Sequence, residues 1–302
     1  MYRILVTDGM DQAAVKELKD LDYEVVEQFY KSEELKEEIK KFDCIVVRSA
    51  TKIDKEIIDS ALETKKTKLI IRGGVGVDNI DVEYATKNGI KVTNTPKASS
   101  TSVAELTIGQ MISLARHTYI SNVTMRQGQW NKKIYRGIEI SGKTLGLIGF
   151  GRIARKVAQR AYALGMNIIY NDIIEIKNCP EGCKAVTVEE LISTADFISL
   201  HMPGTNGKPI IGKEEFEKMK NGVYILNLAR GGIIDEEALI QALDSGKVAA
   251  AALDVFEEEP IKNERLYKHE KIALTPHIGG STIEAQRRIG EEIVSIIKEE
   301  LK

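Results

Sequence analysis

An arginine, a cluster of acids and a histidine stand just past three apolar runs of this chain, and together they can support hydride transfer at a secondary alcohol. That reaction needs one group to hold a carboxylate and polarise a carbonyl. A second must give or take the hydroxyl proton, and a third must keep that proton carrier at a useful pKa. Arg230, after the run 223–228, suits the first role, because a guanidinium offers a carboxylate a fixed fork of donors. His277, after the run 272–274, suits the second, since imidazole titrates near neutral pH. Glu257, Glu258 and Glu259 lie beyond the run 248–253, just before Pro260. One of them suits the third role, because a carboxylate hydrogen-bonded to an imidazolium stabilises it; the alternative is a solvated charge run.

A second constellation binds rather than reacts. Gly149-Phe150-Gly151-Arg152-Ile153-Ala154 follows the apolar run 144–148 and opens a helical stretch. In such a G-x-G-x-x-A turn the first glycine allows the tight bend, and the second lets the backbone approach a pyrophosphate. The small last residue lets the helix pack on the strand. The helix N-terminus then offers free N–H groups and its positive end to the phosphates. Asp172 closes the next apolar run, where an acid hydrogen-bonds the hydroxyls of an adenosine ribose. Ile173 and Ile174 follow it, with no arginine to pair with a 2′-phosphate, so the spacing favours NAD over NADP.

Both constellations must be positioned by strands. Runs at 144–148, 167–170, 197–200, 223–228, 248–253 and 272–274 end at Gly149, Asn171-Asp172, His201-Met202-Pro203, Ala229-Arg230, Asp254 and Thr275-Pro276-His277. Helical stretches separate them, so a parallel sheet is expected with every loaded end on one edge, where open α/β sheets bind ligands. The N-terminal third repeats the rhythm, with strands expected at 3–6, 24–26, 44–47, 69–71 and 91–92. Helices are expected there at 12–18, 32–40, 55–62 and 82–87. A single helix is expected over 103–125, preceded by capping hydroxyls at 99–102, and a last helical segment over 281–302. The resulting expectation is an α/β protein of two doubly wound parallel-sheet domains. A Rossmann dinucleotide domain (96–280) is inserted into a flavodoxin-like substrate domain (1–95 and 281–302).

Composition narrows the classes. The chain has 302 residues, enough for two domains, with 43% hydrophobic and 29% charged residues. A net charge of −2 gives no bulk attraction to nucleic acid or anionic membrane. No apolar run approaches the ~20 residues of a membrane span, and residues 1–8 read as a strand rather than a signal peptide. A cytoplasmic protein is expected. Three cysteines, Cys44, Cys179 and Cys183, cannot build a disulfide framework, and no metal site is expected from them. His117 and His269 have no motif around them. For His201, ligand binding and loop structure stand level. Arg48 either pairs with an acid or contacts substrate, and Lys132 and Lys133 read as a solvated loop before a substrate phosphate site.

Three segments carry a resemblance that covers the whole chain: 228–232 (LARGG), 254–260 (DVFEEEP) and 275–280 (TPHIGG). With them the sequence closely resembles the D-isomer-specific 2-hydroxyacid dehydrogenases. The resemblance implies an NAD-dependent dehydrogenase of 2-hydroxy or 2-keto acids with catalytic Arg230, Glu259 and His277. It selects Glu259 among the three acids, and disfavours a formate dehydrogenase, whose histidine pairs with Gln. By the same resemblance Gly149, Gly151, Arg152, Ile153, Asp172, His201, Pro203, Ala229, Gly279 and Gly280 bind cofactor, with Asp254 at the nicotinamide amide. Arg48, Gly73, Gly74, Val75, Gly76 and Arg230 bind substrate. It further implies a homodimer through the cofactor domain. The segments 47–51 (VRSAT), 72–79 (RGGVGVDN) and 94–96 (NTP) are most similar to the branch that oxidises 3-phosphoglycerate. Long members add a C-terminal regulatory domain; with Lys302 directly after the last helix, a short form is expected. A glyoxylate or hydroxypyruvate reductase is the alternative with the same chemistry, and an NAD-sensing interaction protein the alternative from another class.

Overall fold

The computed structural model describes residues 1–205 and 207–301, and divides the chain into two units, 1–100 with 280–302 and 101–279. The divisions fall at Ser100/Thr101 and Gly279/Gly280, against 95/96 and 280/281 in the sequence reading.

The first unit runs β1 (Arg3–Val6), α1 (Gln12–Asp20), β2 (Glu24–Glu27), α2 (Ser32–Glu38), β3 (Cys44–Val47), α3 (Lys55–Thr64), β4 (Leu69–Arg72), α4 (Val82–Lys87) and β5 (Lys91–Asn94). Its strands are parallel in the order β2-β1-β3-β4-β5, the flavodoxin-like winding. β3 is buried on both faces, so it reads as the unbroken apolar run CIVV rather than an alternation. One face is covered by α2, α3 and α4 through Leu35, Ile57, Ile58 and Ala85. The other is covered by α1 through Ala14 and Leu18, and by the C-terminal helix through Ile289, Ile293, Val294 and Ile297. Asp11, Asp54 and Asp81 cap α1, α3 and α4 by accepting from free N–H groups of the first turn.

The second unit begins with α5 (Ser100–Arg116) and α6 (Thr118–Arg126), where one helix over 103–125 was expected. The break is His117, which takes a left-handed conformation at φ 53 and donates its N–H to Leu114 O at 3.3 Å. A periodic apolar pattern carries no signal for one residue leaving the right-handed well. Ser100, Thr101 and Ser102 form the first turn of α5 instead of preceding it. Then follow β6 (Thr144–Ile148), α7 (Arg152–Ala163), β7 (Asn167–Asn171), β8 (Cys183–Ala185), α8 (Val188–Thr194) and β9 (Phe197–Leu200). After these come α9 (Lys213–Lys218), β10 (Val223–Asn227), α10 (Glu236–Asp244), β11 (Val248–Leu253), α11 (Glu264–Tyr267) and β12 (Ile272–Leu274). The seven strands are parallel in the order β12-β11-β10-β9-β6-β7-β8. The winding reverses between β6 and β9, which is the Rossmann switch point. β8 was not expected, because three residues at a sheet edge, two of them exposed, have no apolar pattern to betray them. Cys183 opens β8 after the turn in which its N–H donates to Pro180 O, and all three cysteines are free thiols.

The last helix, α12 (Ile283–Glu300), belongs to the first unit and starts where Thr282 Oγ1 accepts from Ala285 N. Lys302, the end of the expected segment, lies outside the described residues. Among the described residues no helix is long and apolar enough to cross a membrane.

Candidate active site

The glycine turn sits at the switch point. Gly149 takes φ 83, and a Cβ there would lie 2.6 Å from His201 O, so the bend over the end of β9 admits only glycine. Gly151 caps α7 with no side chain on the free N–H groups, and a Cβ on it would meet nothing within 4 Å. That open, uncapped helix N-terminus is what a pyrophosphate requires. Ala154, Val157, Ala158 and Ala161 form the buried face of α7, and their small size brings the helix close to the sheet. Asp172 stands past the end of β7 as expected. Its Oδ2 accepts from Phe150 N at 2.6 Å and its Oδ1 from Ile174 N at 3.1 Å. The acid therefore braces the glycine turn and ties the two halves of a nucleotide site together. Ile173 and Ile174, the residues directly after Asp172, are 100% and 65% exposed and offer a 2′-phosphate apolar side chains. An open helix N-terminus, a bent glycine turn and a strand-end carboxylate fit NAD.

His201 follows β9 beside that turn. Its Nε2 lies 2.9 Å from Ser199 Oγ, and its N–H donates to Ile148 O. Burial pushes its imidazole down to about 4, so the ring is neutral at physiological pH. These contacts place the ring beside the glycine turn, where both loop structure and cofactor binding are open to it.

Asn227 ends β10 and folds the next turn: its Nδ2 donates to Arg230 O at 2.8 Å and its Oδ1 accepts from Ala229 N at 3.1 Å. Arg230 Nη1 in turn donates to Ala229 O at 2.6 Å. Glu259 is placed by Phe256, whose N–H donates to its Oε1 at 3.2 Å. Its other oxygen, Oε2, lies 2.7 Å from His277 Nδ1. A carboxylate only accepts, so Nδ1 carries the proton of this bond and Nε2 is left free to take up or release another. Both side chains remain accessible, His277 at 39% and Glu259 at 36% exposure. Burial acts to raise the Glu259 carboxyl. The hydrogen bond and charge of His277, the Phe256 N–H and the charge of Arg230 outweigh it and hold the acid below its usual range. Glu259 thus stays ionised through neutral pH and down past the pH at which an ordinary glutamate protonates.

Glu259→Gln tests this pair. The amide cannot stabilise a charged imidazolium, and reduction of a keto acid needs that imidazolium as proton donor. The alkaline limb of the rate profile should move to lower pH than in wild type, and an unmoved profile would count against the pair.

Asp254, expected at a nicotinamide amide, also holds a turn of the protein itself. It is 1% exposed and serves the turn that carries His277. Its Oδ1 accepts from Thr275 Oγ1 at 2.6 Å and Ile278 N at 2.8 Å, and its Oδ2 from Gly279 N at 2.8 Å. His277 itself sits at φ 52, a conformation few histidines adopt, and the bonds from Asp254 hold the chain on either side of it. Apolar runs cannot reveal a role made of long-range hydrogen bonds. The one signal was an acid directly after an apolar strand that is buried at all but one residue.

In the first unit, Arg48 is the residue after β3. Its guanidinium is half-buried and makes no hydrogen bond or ion pair among the described residues. Burial lowers its pKa and the charge of Asp8 opposes this. The pairing with an acid that the sequence allowed is not made, because the Asp8 carboxylate is taken up by the backbone and hydroxyl of 48–51. After β4, Gly74 takes φ 150, and a Cβ there would clash with Arg72 Nη1 at 1.4 Å. Gly74 O accepts from Thr95 N at 3.0 Å and Val75 O from Asn94 Nδ2 at 2.5 Å. The backbone of Val75 and Gly76 lies beyond the last ladder pair, Arg72↔Asn94. Lys132 and Lys133 are exposed beside Trp130, which is 78% exposed. Among the described residues no group of three or more His, Cys, Asp or Glu is placed to hold a metal.

Residues 108–279 match the family described as D-isomer specific 2-hydroxyacid dehydrogenase, NAD binding domain. The chain is 47% identical over 306 residues to D-3-phosphoglycerate dehydrogenase of Methanocaldococcus jannaschii, covering 100% of this chain and 58% of the relative. It is also 47% identical over 308 residues to hydroxypyruvate reductase of Thermotoga maritima, covering 99% of this chain and 98% of the relative. A glyoxylate reductase crystal structure from Paecilomyes thermophila superposes with a TM-score of 0.88 at 35% identity, covering 99% of this chain and 94% of that one. The chain thus spans little more than half of the archaeal relative and nearly all of the bacterial one.

Proposed function

This chain belongs to the D-isomer specific 2-hydroxyacid dehydrogenases, with their NAD-binding domain, and on that premise we propose that it oxidises D-3-phosphoglycerate to 3-phosphohydroxypyruvate, the first step of serine biosynthesis. In this reading the Arg230 fork holds the carboxylate and polarises the C2 oxygen. His277 Nε2 takes the C2 hydroxyl proton, and Glu259 stabilises the imidazolium that forms. Bound NAD supplies the hydride acceptor. Gly149, Gly151, Arg152 and Ile153 face its pyrophosphate, and Asp172 its ribose. Pro203, Ala229, Gly279 and Gly280 join that site by the family's pattern. Backbone N–H groups of Gly73, Gly74, Val75 and Gly76 share the substrate carboxylate, where absent side chains allow close approach.

The observation that carries the substrate is Arg48. Half-buried and without a partner, it is a cation placed to receive an anion, which a 2-hydroxy acid bearing only its carboxylate does not need. Arg48→Ala should raise KM for 3-phosphohydroxypyruvate by the worth of charge-assisted bonds, about 1.5–3 kcal/mol or roughly 10- to 100-fold. KM for unphosphorylated hydroxypyruvate should change little. If both substrates suffer equally, Arg48 does not read the phosphate.

One observation favours a second reading. The hydroxypyruvate reductase relative is as similar and matches end to end, so reduction of hydroxypyruvate or glyoxylate by the same Arg230, Glu259 and His277 is the alternative. An NAD-sensing interaction protein ranks third, since the intact set of Arg230, Glu259 and His277 favours an enzyme. A homodimer through the cofactor unit belongs to the proposal. Its support is the exposed apolar set Val123, Met125, Trp130 and Ile134 on and after α6. A cytoplasmic location is likewise part of the reading.

A further inference from the structure

The turn that carries Arg48 is held from both sides. Asp8, just past β1, lies beside it, because β1 and β3 are neighbours in the sheet. Asp8 Oδ2 accepts from Arg48 N at 2.6 Å and from Thr51 N at 3.1 Å, and Oδ1 accepts from Thr51 Oγ1 at 2.6 Å. From the other side Asn79 Nδ2 donates to Arg48 O at 2.7 Å and to Thr51 O at 2.6 Å. Asn79 is itself fixed, since its O accepts from Ile53 N at 2.8 Å at the Ile53↔Ile80 bridge. Arg48 and Thr51 are thus each gripped at N–H and at C=O, while Ser49 and Ala50 between them are exposed.

The polarity of the grip is one-way. A carboxylate only accepts, and the asparagine nitrogen only donates. Asp8 and Asn79 cannot exchange places, and neither tolerates its own isostere without a lost bond. Five hydrogen bonds fix a turn whose one charged side chain is a half-buried cation with no partner. The same carboxylate that fixes the turn leaves the donors of Arg48 untouched, since both its oxygens serve other atoms.

We infer that Asp8 and Asn79 are positioning residues for anion recognition by Arg48: they hold the 48–51 turn so that the guanidinium is preorganised for a phosphate. This inference rests on the reading of Arg48 above. Preorganisation lowers the ordering cost of binding, so its loss appears in KM for the substrate that uses the cation and not in the chemical step.

The test uses the full chain with NADH and compares KM for 3-phosphohydroxypyruvate and hydroxypyruvate in Asp8→Asn, Asn79→Ala and Arg48→Ala. Electrostatics and positioning have opposite signs in Asp8→Asn. Removing the negative charge alone would lower KM for the phosphorylated substrate, whereas loosening the turn raises it. The expected result is a rise of roughly 5- to 30-fold for the phosphorylated substrate, the worth of one to two hydrogen bonds, with kcat, NADH affinity and KM for hydroxypyruvate held. Asn79→Ala removes two donors without any change of charge and should give the same split; it carries the comparison alone if Asp8→Asn does not fold. Unchanged or lowered KM in both variants, while Arg48→Ala still separates the substrates, overturns the clamp and leaves the reading of Arg48 standing. A matched rise for both substrates with a fall in kcat also overturns it, as a general structural effect. Arg48→Ala with no separation overturns both.

Discussion

Replacing His277 by Ala should cut turnover by about 10²- to 10⁴-fold, the usual worth of general acid–base catalysis, and leave NADH affinity unchanged. The two effects separate because the imidazole would move a proton, while the pyrophosphate and ribose would be held at other strand ends. His277 rides the turn after β12, and that turn is held by Asp254 through Thr275, Ile278 and Gly279, none of them through the imidazole. The glycine turn and Asp172 follow β6 and β7. Steady-state kinetics with a fluorescence titration of NADH on the same variant reads both quantities. A near-normal kcat would rule out His277 as the proton carrier.

Asp172→Ala should weaken NADH binding by about 1.5–3 kcal/mol, the worth of hydrogen bonds to a charged group, or roughly 10- to 100-fold in Kd. It should also narrow the gap to NADPH, because a carboxylate repels a 2′-phosphate and the next two residues, Ile173 and Ile174, have no charge to offset it. The bond from Phe150 N to Asp172 Oδ2 adds a second consequence. Losing it slackens the glycine turn for either cofactor, so NADPH affinity should rise less than charge alone dictates. Asp172→Asn, which keeps an acceptor for Phe150 N, separates the brace from the charge. Fluorescence titration with both reduced cofactors measures the effect, and equal affinity of wild type for NADPH would sink the cofactor assignment.

The parts legible in the sequence were those written in short range. Buried parallel strands read as continuous apolar runs, and their ends at Gly149, Asp172, Arg230, Asp254 and His277 followed at once. The G-x-G-x-x-A turn was legible because strand, bend and helix are consecutive. What stayed hidden depends on a single backbone angle or on bonds between distant residues. His117 breaks the helix expected over 103–125 by one left-handed residue. β8 is three residues long, at a sheet edge, and leaves no apolar trace. The work of Asp254 and Asn227, and the grip of Asp8 and Asn79 on the Arg48 turn, are made of hydrogen bonds from strand ends to loops. Such bonds have no period. The bond between the His201 ring and Ser199 Oγ belongs to the same class.

The most direct measurement is kcat/KM of the wild-type chain for NADH-linked reduction of 3-phosphohydroxypyruvate, hydroxypyruvate and glyoxylate under one set of conditions. The expected order places 3-phosphohydroxypyruvate first, because it alone engages Arg48 as well as the carboxylate site. A higher kcat/KM for hydroxypyruvate or glyoxylate would contradict the phosphoglycerate reading and put the reductase in its place, with Arg230, Glu259 and His277 in the same roles.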